Sequence, residues 1–443
     1  MNPTHPTKPE AAGATAFSAG PRGSRPWRVI GMLSGTSCDA VDAAVAELSF
    51  EPLEPGAGES REEAARAGEQ RAGLGIVLRP LGLHSEPYPA QLRDRLAAAL
   101  PPVGTTLEQV CRLDTALGQF FGEVAARANA ALAEGRADLV VSHGQTVYHW
   151  VAGAQALGTL QLGGPAWIAE ATGLPVLSDL RTRDIARGGQ GAPLAAVLDA
   201  LLLLGGAAGE GRGALNLGGI ANITVRGPKA AVLAYDLGPA NALLDAVVTE
   251  ASGGRERMDT DGAWARRGRV DRELLALLLD EPYYRLPPPK STGKELFHPG
   301  YLGERVRALG RGREPSAADL AATVTELTAE LVARACREHG LRELVVSGGG
   351  VRNPVLMERI ETLCAPVRLR RPEEFGLPAQ AKEGYLFALL GFLSLHGLPG
   401  TLPSATGARG AEGALLGSLT PGAGPLRLPE PQRARPSRLR VLS

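Results

Sequence analysis

The stretch Val29–Leu48, "VIGMLSGTSCDAVDAAVAEL", sets a Gly-Thr-Ser turn and two carboxylates, Asp39 and Asp42, between two apolar runs. Two such runs joined at a glycine read as a β-hairpin. Amides freed by a glycine turn point at anions, so this hairpin suits phosphate groups without needing a cationic side chain. Gly35 makes the turn and the hydroxyls of Thr36 and Ser37 add donors beside it. Asp39 and Asp42 are placed to hold a hydrated magnesium ion through its waters. The stretch therefore reads as a bracket for the terminal phosphates of a nucleotide.

The hairpin is the first half of a pattern that occurs twice. It is followed by a helical stretch, Leu107–Leu132, closed by Gly135, and then by the strand "ADLVVSHGQ". A second hairpin, "ALNLGGIANITV" from Ala214, is followed by a helix starting near Ser316 with Leu320, Val324, Leu327 and Leu331 on one face, then by "RELVVSGGG". One glycine-turned hairpin is an ordinary tight turn. A matched pair in corresponding positions implies two related α/β lobes facing one another, with mixed sheets, helices on their faces and a cleft between them. The expected N-terminal lobe is 27–190 and the C-terminal lobe 191–420.

Three further glycine turns fall in the second half: "NLGGIAN" with Gly218, Gly219 and Asn222, "DLGPAN" at Asp236, and "VSGGGVRN" with Gly348, Gly349 and Gly350. The last opens a helix, with Asn353 as its cap and Pro354 at its first position, and suits the floor on which an adenosine lies. The chain has no GxxxxGK[ST] loop, and no strand-borne GxGxxG with an acid at the ribose-binding distance.

At 443 residues the chain favours two domains. Its 47 basic and 47 acidic residues balance, so no global field recruits nucleic acid or an anionic membrane, and a small-molecule partner fits better. Four cysteines without CxxC spacing and seven histidines without an HxxxH pair argue against a disulfide framework and a zinc site. Residues 1–26 lack an apolar core and read as a disordered lead rather than a signal peptide. The charged insertion of about 54–73 and the Pro- and Arg-rich tail 421–443 also read as disordered. The apolar run Leu194–Leu204 is interrupted by Asp199 and reads as a buried helix, not a membrane span. The expected location is the cytoplasm.

Nine segments in order, "GMLSGTSCDAVD", "VVSHGQTVYH", "SDLRTRDIARGGQGAPL", "NLGGIANIT", "YDLGPANALLDA", "DTDGAWARRG", "PPKSTGKELF", "VSGGGVRNPVLM" and "GLPAQAKEGYLFALL", run from about Trp27 to Leu419. In these the chain resembles the anhydro-N-acetylmuramic acid kinases, within the sugar kinase, Hsp70 and actin ATPase superfamily of actin-like (ribonuclease H-like) lobes. The resemblance implies an enzyme that uses ATP, magnesium and water to open the 1,6-anhydro ring of a cell-wall sugar and phosphorylate the freed 6-oxygen. It also implies a homodimer and a place in peptidoglycan recycling. Matched by motif, Gly35, Thr36, Ser37, Cys38, Asp39, Ala40, Val41 and Asp42 fall on the family's ATP-binding turn. Asp236 falls on its catalytic base and Glu383 on the acid that contacts the sugar. Ala40 and Ala240 stand where glycine is usual, and Lys294 where arginine is.

Within that frame Asp236 ends the apolar run "AAVLAYD", where a strand would deliver it to the cleft; the plainer reading is a turn former. Asp184, among Arg181, Arg183 and Arg187, is either a rival acid or a salt-bridged structural residue, and Arg181 suits the substrate's carboxylate. Ser34, His143 and Gln145 are candidates for the sugar side, His143 and Gln145 offering neutral hydrogen bonds to hydroxyls; a buried, satisfied histidine remains open. Glu383 either faces the sugar or merely favours a helix dipole. Two other functions stay in view: a different sugar kinase or ATPase on this fold, and a nucleotide-dependent sugar sensor that binds without turnover.

Overall fold

The computed structural model describes residues 25–35, 38–53, 73–100, 104–152, 155–206, 209–227, 231–293, 296–310 and 315–442. The lead up to residue 24, residues 54–72 of the insertion, Thr36, Ser37 and Lys294 lie outside the described residues. The hairpin that opens the chain forms as expected. β1 (Trp27–Ser34) pairs antiparallel with β2 (Ala40–Leu53), which pairs antiparallel with β3 (Gly73–Pro87). β4 (Leu139–Ser142) then joins β1 in parallel, after the helix Leu107–Leu132 has crossed one face. β5 (Gln145–Ala152) and β6 (Gln155–Leu162) form a separate hairpin, and β7 (Val176–Ser178) extends the sheet beside β4 in parallel.

The second sheet repeats this order. β8 (Arg212–Leu217), β9 (Ile220–Arg226) and β10 (Val232–Pro239) form an antiparallel meander, and β11 (Glu343–Ser347) and β12 (Arg368–Arg370) add in parallel on the other side of β8. The spatial orders β3-β2-β1-β4-β7 and β10-β9-β8-β11-β12 match strand for strand, and so do their directions. The duplication read from two glycine hairpins is thus a duplication of topology.

Local chemistry sets the helix boundaries. Thr106 and Gln109 form a reciprocal capping box at the start of Leu107–Leu132, Ser316 caps Ala317–Glu338, and Asn353 caps the Pro354-led helix Pro354–Cys364. Leu117, Phe121 and Val124 of the first long helix pack on one face of the first sheet. Val324, Leu327 and Leu331 of the second lie in the core of the other lobe.

Two sequence expectations are corrected here. The lobe boundary does not leave residues 191–420 together, because the helix Lys382–Leu395 packs on the other face of the first sheet with Leu389, Leu390 and Phe392 in its core. Glycine makes that return possible: a Cβ on Gly31 of β1 would lie 2.0 Å from the carbonyl oxygen of Gly384, and one on Gly384 would lie 2.5 Å from the Cβ of Ala44. The tail is not excluded from the fold either. β13 (Ser418–Thr420), just before the tail, pairs with β7, and the tail's own β14 (Pro436–Val441) pairs in parallel with β3, burying Leu439. The chain's end therefore supplies both edges of the first sheet. Arg440 pairs there with Glu51, so part of the basic composition that suggested disorder is matched by a neighbouring acid.

The apolar run at Leu194 is the helix Ala195–Leu202, largely buried and in contact with β14 of one sheet and with β9 and β10 of the other. No described helix is long and apolar enough to cross a membrane.

Candidate active site

A cavity of about 570 Å³ opens between the two sheets. The first lobe lines it with Ser34, Gly35, His143, Gln145, Arg181 and Glu383, and the second with Asn216, Asn222 and Ser347. Segments spread from residue 34 to residue 383 thus converge on one cleft. A depression of about 630 Å³ between the helices Ala90–Ala97 and Leu107–Leu132 contains none of the candidate residues.

Strand register explains the second lobe's contribution. Ser347 of β11 stands opposite Asn216 of β8, Asn216 opposite Asn222 of β9, and Asn222 opposite Asp236 of β10. Residues directly opposite one another share a face, so these four form one polar row across the sheet. The cavity lining reaches Asn222, and Asp236 is the next position of the row. Its half-buried carboxylate accepts a hydrogen bond from the Thr292 amide at 2.9 Å, within "KSTGKE". Two sequence segments that looked unrelated meet at this acid.

On the facing side His143 is buried and bonded at both ring nitrogens. Its Nδ1 lies 3.0 Å from the Gly144 carbonyl and its Nε2 lies 2.9 Å from Arg181 Nε. Arg181 can only donate, so Nε2 accepts and Nδ1 carries the proton. Burial and the Arg181 charge push the His143 pKa down to about 3. Both ring nitrogens are thereby occupied, as in the buried, satisfied histidine of the two readings, and Nε2 holds Arg181. Arg181 also donates from Nη1 to the Gly191 carbonyl, and burial lowers its pKa to about 10, which leaves it charged at neutral pH. Among the described residues its Nη2 has no hydrogen-bond partner and is available to a carboxylate in the cleft. Gln145 contacts Tyr88, the Gly35 carbonyl and the Thr146 carbonyl, bracing the first turn from below.

Glu383 begins the helix Lys382–Leu395 and stands open to the water of the cleft, yet protein crowds it closely enough to raise its pKa. Lys382 and Arg181 oppose that rise, and Asp42 adds to it. The close contact of Gly31 with Gly384 is what carries Glu383 to the first turn. Lys382, which sequence reasoning passed over, lines the same cleft and pairs with Asp199 at 2.7 Å. The one signal for that pair was a carboxylate inside an otherwise apolar run.

Asp184 is fully buried and outside the cavity lining. It accepts from the Gly191 amide and the Thr406 hydroxyl, while Arg187 donates to the carbonyls of Gly413 and Arg409. Its carboxylate is held by backbone and hydroxyl donors, and among the described residues it forms no salt bridge with the neighbouring arginines.

The glycine turns divide by what surrounds them. A Cβ on Gly348 would lie 2.7 Å from both Asn216 Oδ1 and the Leu217 carbonyl, and one on Gly350 would lie 2.7 Å from Leu217 Cβ, so protein packing demands these two. At Gly218, Gly219 and Gly349 a Cβ would make only ordinary contacts at 3.5 to 3.8 Å, so protein packing does not demand glycine there. In the first turn the Cys38 amide bonds the Gly35 carbonyl, and Cys38 has φ 55°. The Cys38 thiol and the Val41 side chain face the core, so only their backbone can serve a ligand. Ala40 lies in β2, and Ala240 has φ −118°, a value that needs no glycine.

Among the described residues no three His, Cys, Asp or Glu side chains group to hold a metal directly, and neither Asp39 nor Asp42 has an ion-pair partner. Asp39 is exposed and Asp42 half-buried. Carboxylates without an ion-pair partner near Gly35 fit a hydrated magnesium ion better than a bare one.

Two copies of one α/β topology, closed on a cleft lined by glycine turns and by Arg181 and Glu383, give a duplicated two-lobed α/β class of protein. The chain belongs to the anhydro-N-acetylmuramic acid kinase family, whose model matches residues 71–422. It is 55% identical over 416 residues to the anhydro-N-acetylmuramic acid kinase of Streptomyces coelicolor, covering 94% of this chain and 99% of that one. It is 38% identical over 395 residues to that of Salinibacter ruber, covering 86% and 93%. Among solved structures, a glucokinase of the ROK family from Streptomyces griseus aligns with 82% of this chain and 98% of its own at 13% identity, with a TM-score of 0.30.

Proposed function

We propose that the protein is an ATP-dependent kinase that opens the 1,6-anhydro ring of 1,6-anhydro-N-acetylmuramic acid with water and phosphorylates the 6-oxygen, yielding N-acetylmuramic acid 6-phosphate in peptidoglycan recycling. The observation that carries this reading is the position of Asp236, next in line to Asn222 at the cleft's edge, with Arg181 and Glu383 on the opposite lobe.

Water attacks the anomeric carbon as its proton passes to the Asp236 carboxylate, and the bond from that carbon to the 6-oxygen breaks. The released 6-oxygen attacks the γ-phosphorus in line, and ADP leaves. Arg181, held by His143, binds the substrate's carboxylate through Nη2, while Glu383, Ser34 and Gln145 orient the sugar. Gly35 and the turns at Gly218–Gly219 and Gly348–Gly350 hold the nucleotide, with Asn222 beside it. Asp39 and Asp42 would hold magnesium, and the ion would supply charge neutralisation at the phosphates. Lobe closure excludes bulk water from the γ-phosphate. A cytoplasmic homodimer, implied by the family resemblance, belongs to the same proposal, and sedimentation of the purified protein tests it.

The test is turnover in water enriched in heavy oxygen, with ATP, magnesium and the anhydro-sugar, beside Asp236→Asn. The expected product carries phosphate at the 6-oxygen and the heavy atom at the anomeric carbon, and the variant gives none. An active ATPase without that product points to another acceptor, and binding without turnover to the sensor.

A further inference from the structure

We propose that Tyr283 and Lys290 are positioning residues that fix the strand end carrying Asp236, through a closed ring of hydrogen bonds. The inference rests on the reading of Asp236 as the base. The Tyr283 hydroxyl donates to the Asp236 carbonyl at 2.9 Å. Lys290 Nζ donates to the Tyr283 carbonyl at 3.3 Å and to the Tyr284 carbonyl at 3.1 Å. The Asp236 amide donates to the Lys290 carbonyl at 3.3 Å, which closes the ring. Two residues past Lys290, the Thr292 amide holds the carboxylate itself.

The ring sits where β10 is irregular. Register shifts between Asp236 and Gly238, so regular ladder bonds give way just where the acid must be held. Pairing with β9 resumes at Gly238, and at the shift the Asp236 amide and carbonyl are bound from outside the sheet, by Lys290 and Tyr283 respectively. Lys290 is itself fixed: its ammonium lies 4.9 Å from the centre of the Tyr283 ring and 5.6 Å from that of Tyr235. Burial lowers its pKa, while Glu338 and Asp236 favour its charged form. Tyr283 is buried beside Phe297 in the lobe core, so the ring ties the acid to a rigid part of the molecule. Neither Tyr283 nor Lys290 is among the residues lining the cleft, and both bind Asp236 through its backbone.

The experiment is steady-state kinetics of full-length Tyr283→Phe, Lys290→Met and Lys290→Arg with ATP, magnesium and the anhydro-sugar, with thermal melts of each. Misplacing a reacting group by about 1 Å costs up to about a hundredfold in rate. The expected result is a fall in kcat of about tenfold or more for Tyr283→Phe and Lys290→Met, with KM for the sugar within about twofold, and partial recovery in Lys290→Arg. Because both residues act through one ring, the double variant Tyr283→Phe/Lys290→Met loses little more than either single one. If Lys290→Met fails to fold, Tyr283→Phe decides, since it removes one oxygen and keeps the aromatic packing. Wild-type kcat in folded Tyr283→Phe, or losses tracking melting temperature alone, overturns the proposal. Asp236→Asn separates the two failures: if it is dead while Tyr283→Phe is fully active, only the ring is wrong, and if it still turns over, the base itself is misassigned.

Discussion

Arg181 donates its Nε–H to Nε2 of His143 across 2.9 Å, and that single bond settles the tautomer of the histidine and the direction of the arginine. The imidazole packs at a 35° tilt against Phe387, 4.8 Å between ring centres, so the acceptor is held in place. His143→Phe keeps a ring in that place and removes the acceptor. The expected outcome is a rise of about tenfold in KM for the anhydro-sugar with a smaller change in kcat, because a loosened Arg181 weakens substrate binding without removing the base. Equal loss from kcat and kcat/KM, with KM unmoved, would put His143 in the chemistry instead.

The same burial predicts how stability depends on pH. His143 has a folded pKa of about 3, below the ordinary 6.5, and His149, His339 and His396 are also lowered, chiefly by burial. Above pH 6.5 these groups are neutral folded or unfolded and add no slope. Below it the unfolded chain takes up protons that the native state refuses, so stability falls as pH drops from 6.5 toward the folded values. Glu383, with its raised pKa, acts in the opposite sense and is one group against four. Urea melts at pH 7.5, 6 and 5 should show a progressive loss, shallower in His143→Gln. Identical slopes in the two proteins would mean that His143 titrates normally.

Gly384 and Gly31 make a prediction about packing. The helix that carries Glu383 approaches β1 so closely that a methyl group on Gly384 would meet Ala44 at 2.5 Å. Gly384→Ala should destabilise the protein by about 1–3 kcal/mol, the usual cost of overpacking. It should also impair turnover in the surviving folded fraction, because Glu383 is displaced with the helix. Thermal melting and single-turnover rates check both parts, and a stable, fully active variant would show that the contact is not needed.

Much of this was legible in the sequence, and the exceptions have physical causes. Glycine hairpins, capped helices and the "VVS" strand ends are local signals, and each appears where it was read. The polar row Ser347–Asn216–Asn222–Asp236 needs strand register, which no local pattern carries. His143 at a strand end reads either as a ligand or as a buried, satisfied histidine, and its bond with Arg181, 38 residues away, is a long-range contact that no local pattern carries. The tail misled most, because its Pro and Arg content hides a six-residue edge strand anchored by one buried leucine, Leu439. Composition argues against a free-standing core there, and β14 does not need one when β3 offers an open edge.

Asp199 couples the lobes, and its removal gives the last prediction. One carboxylate oxygen pairs with Lys382 of the first lobe at 2.7 Å, and the other accepts from the Thr224 hydroxyl of the second-lobe strand β9 at 3.4 Å. Lys382 is only 9% exposed, so an unpaired ammonium has little water to turn to. Asp199→Ala should therefore cost about 3–5 kcal/mol, the penalty of leaving a buried charge without its partner. The double variant Asp199→Leu/Lys382→Met removes both charges and should recover much of that loss. Turnover should not recover with it: Lys382 helps hold Glu383 ionised beside Asp42, and a neutral methionine gives up that attraction. Urea melts and steady-state rates on the same samples separate the two effects. A double variant that regains both stability and rate would reduce the pair to packing, whereas stability without rate would establish that the charge at Lys382 serves the cleft.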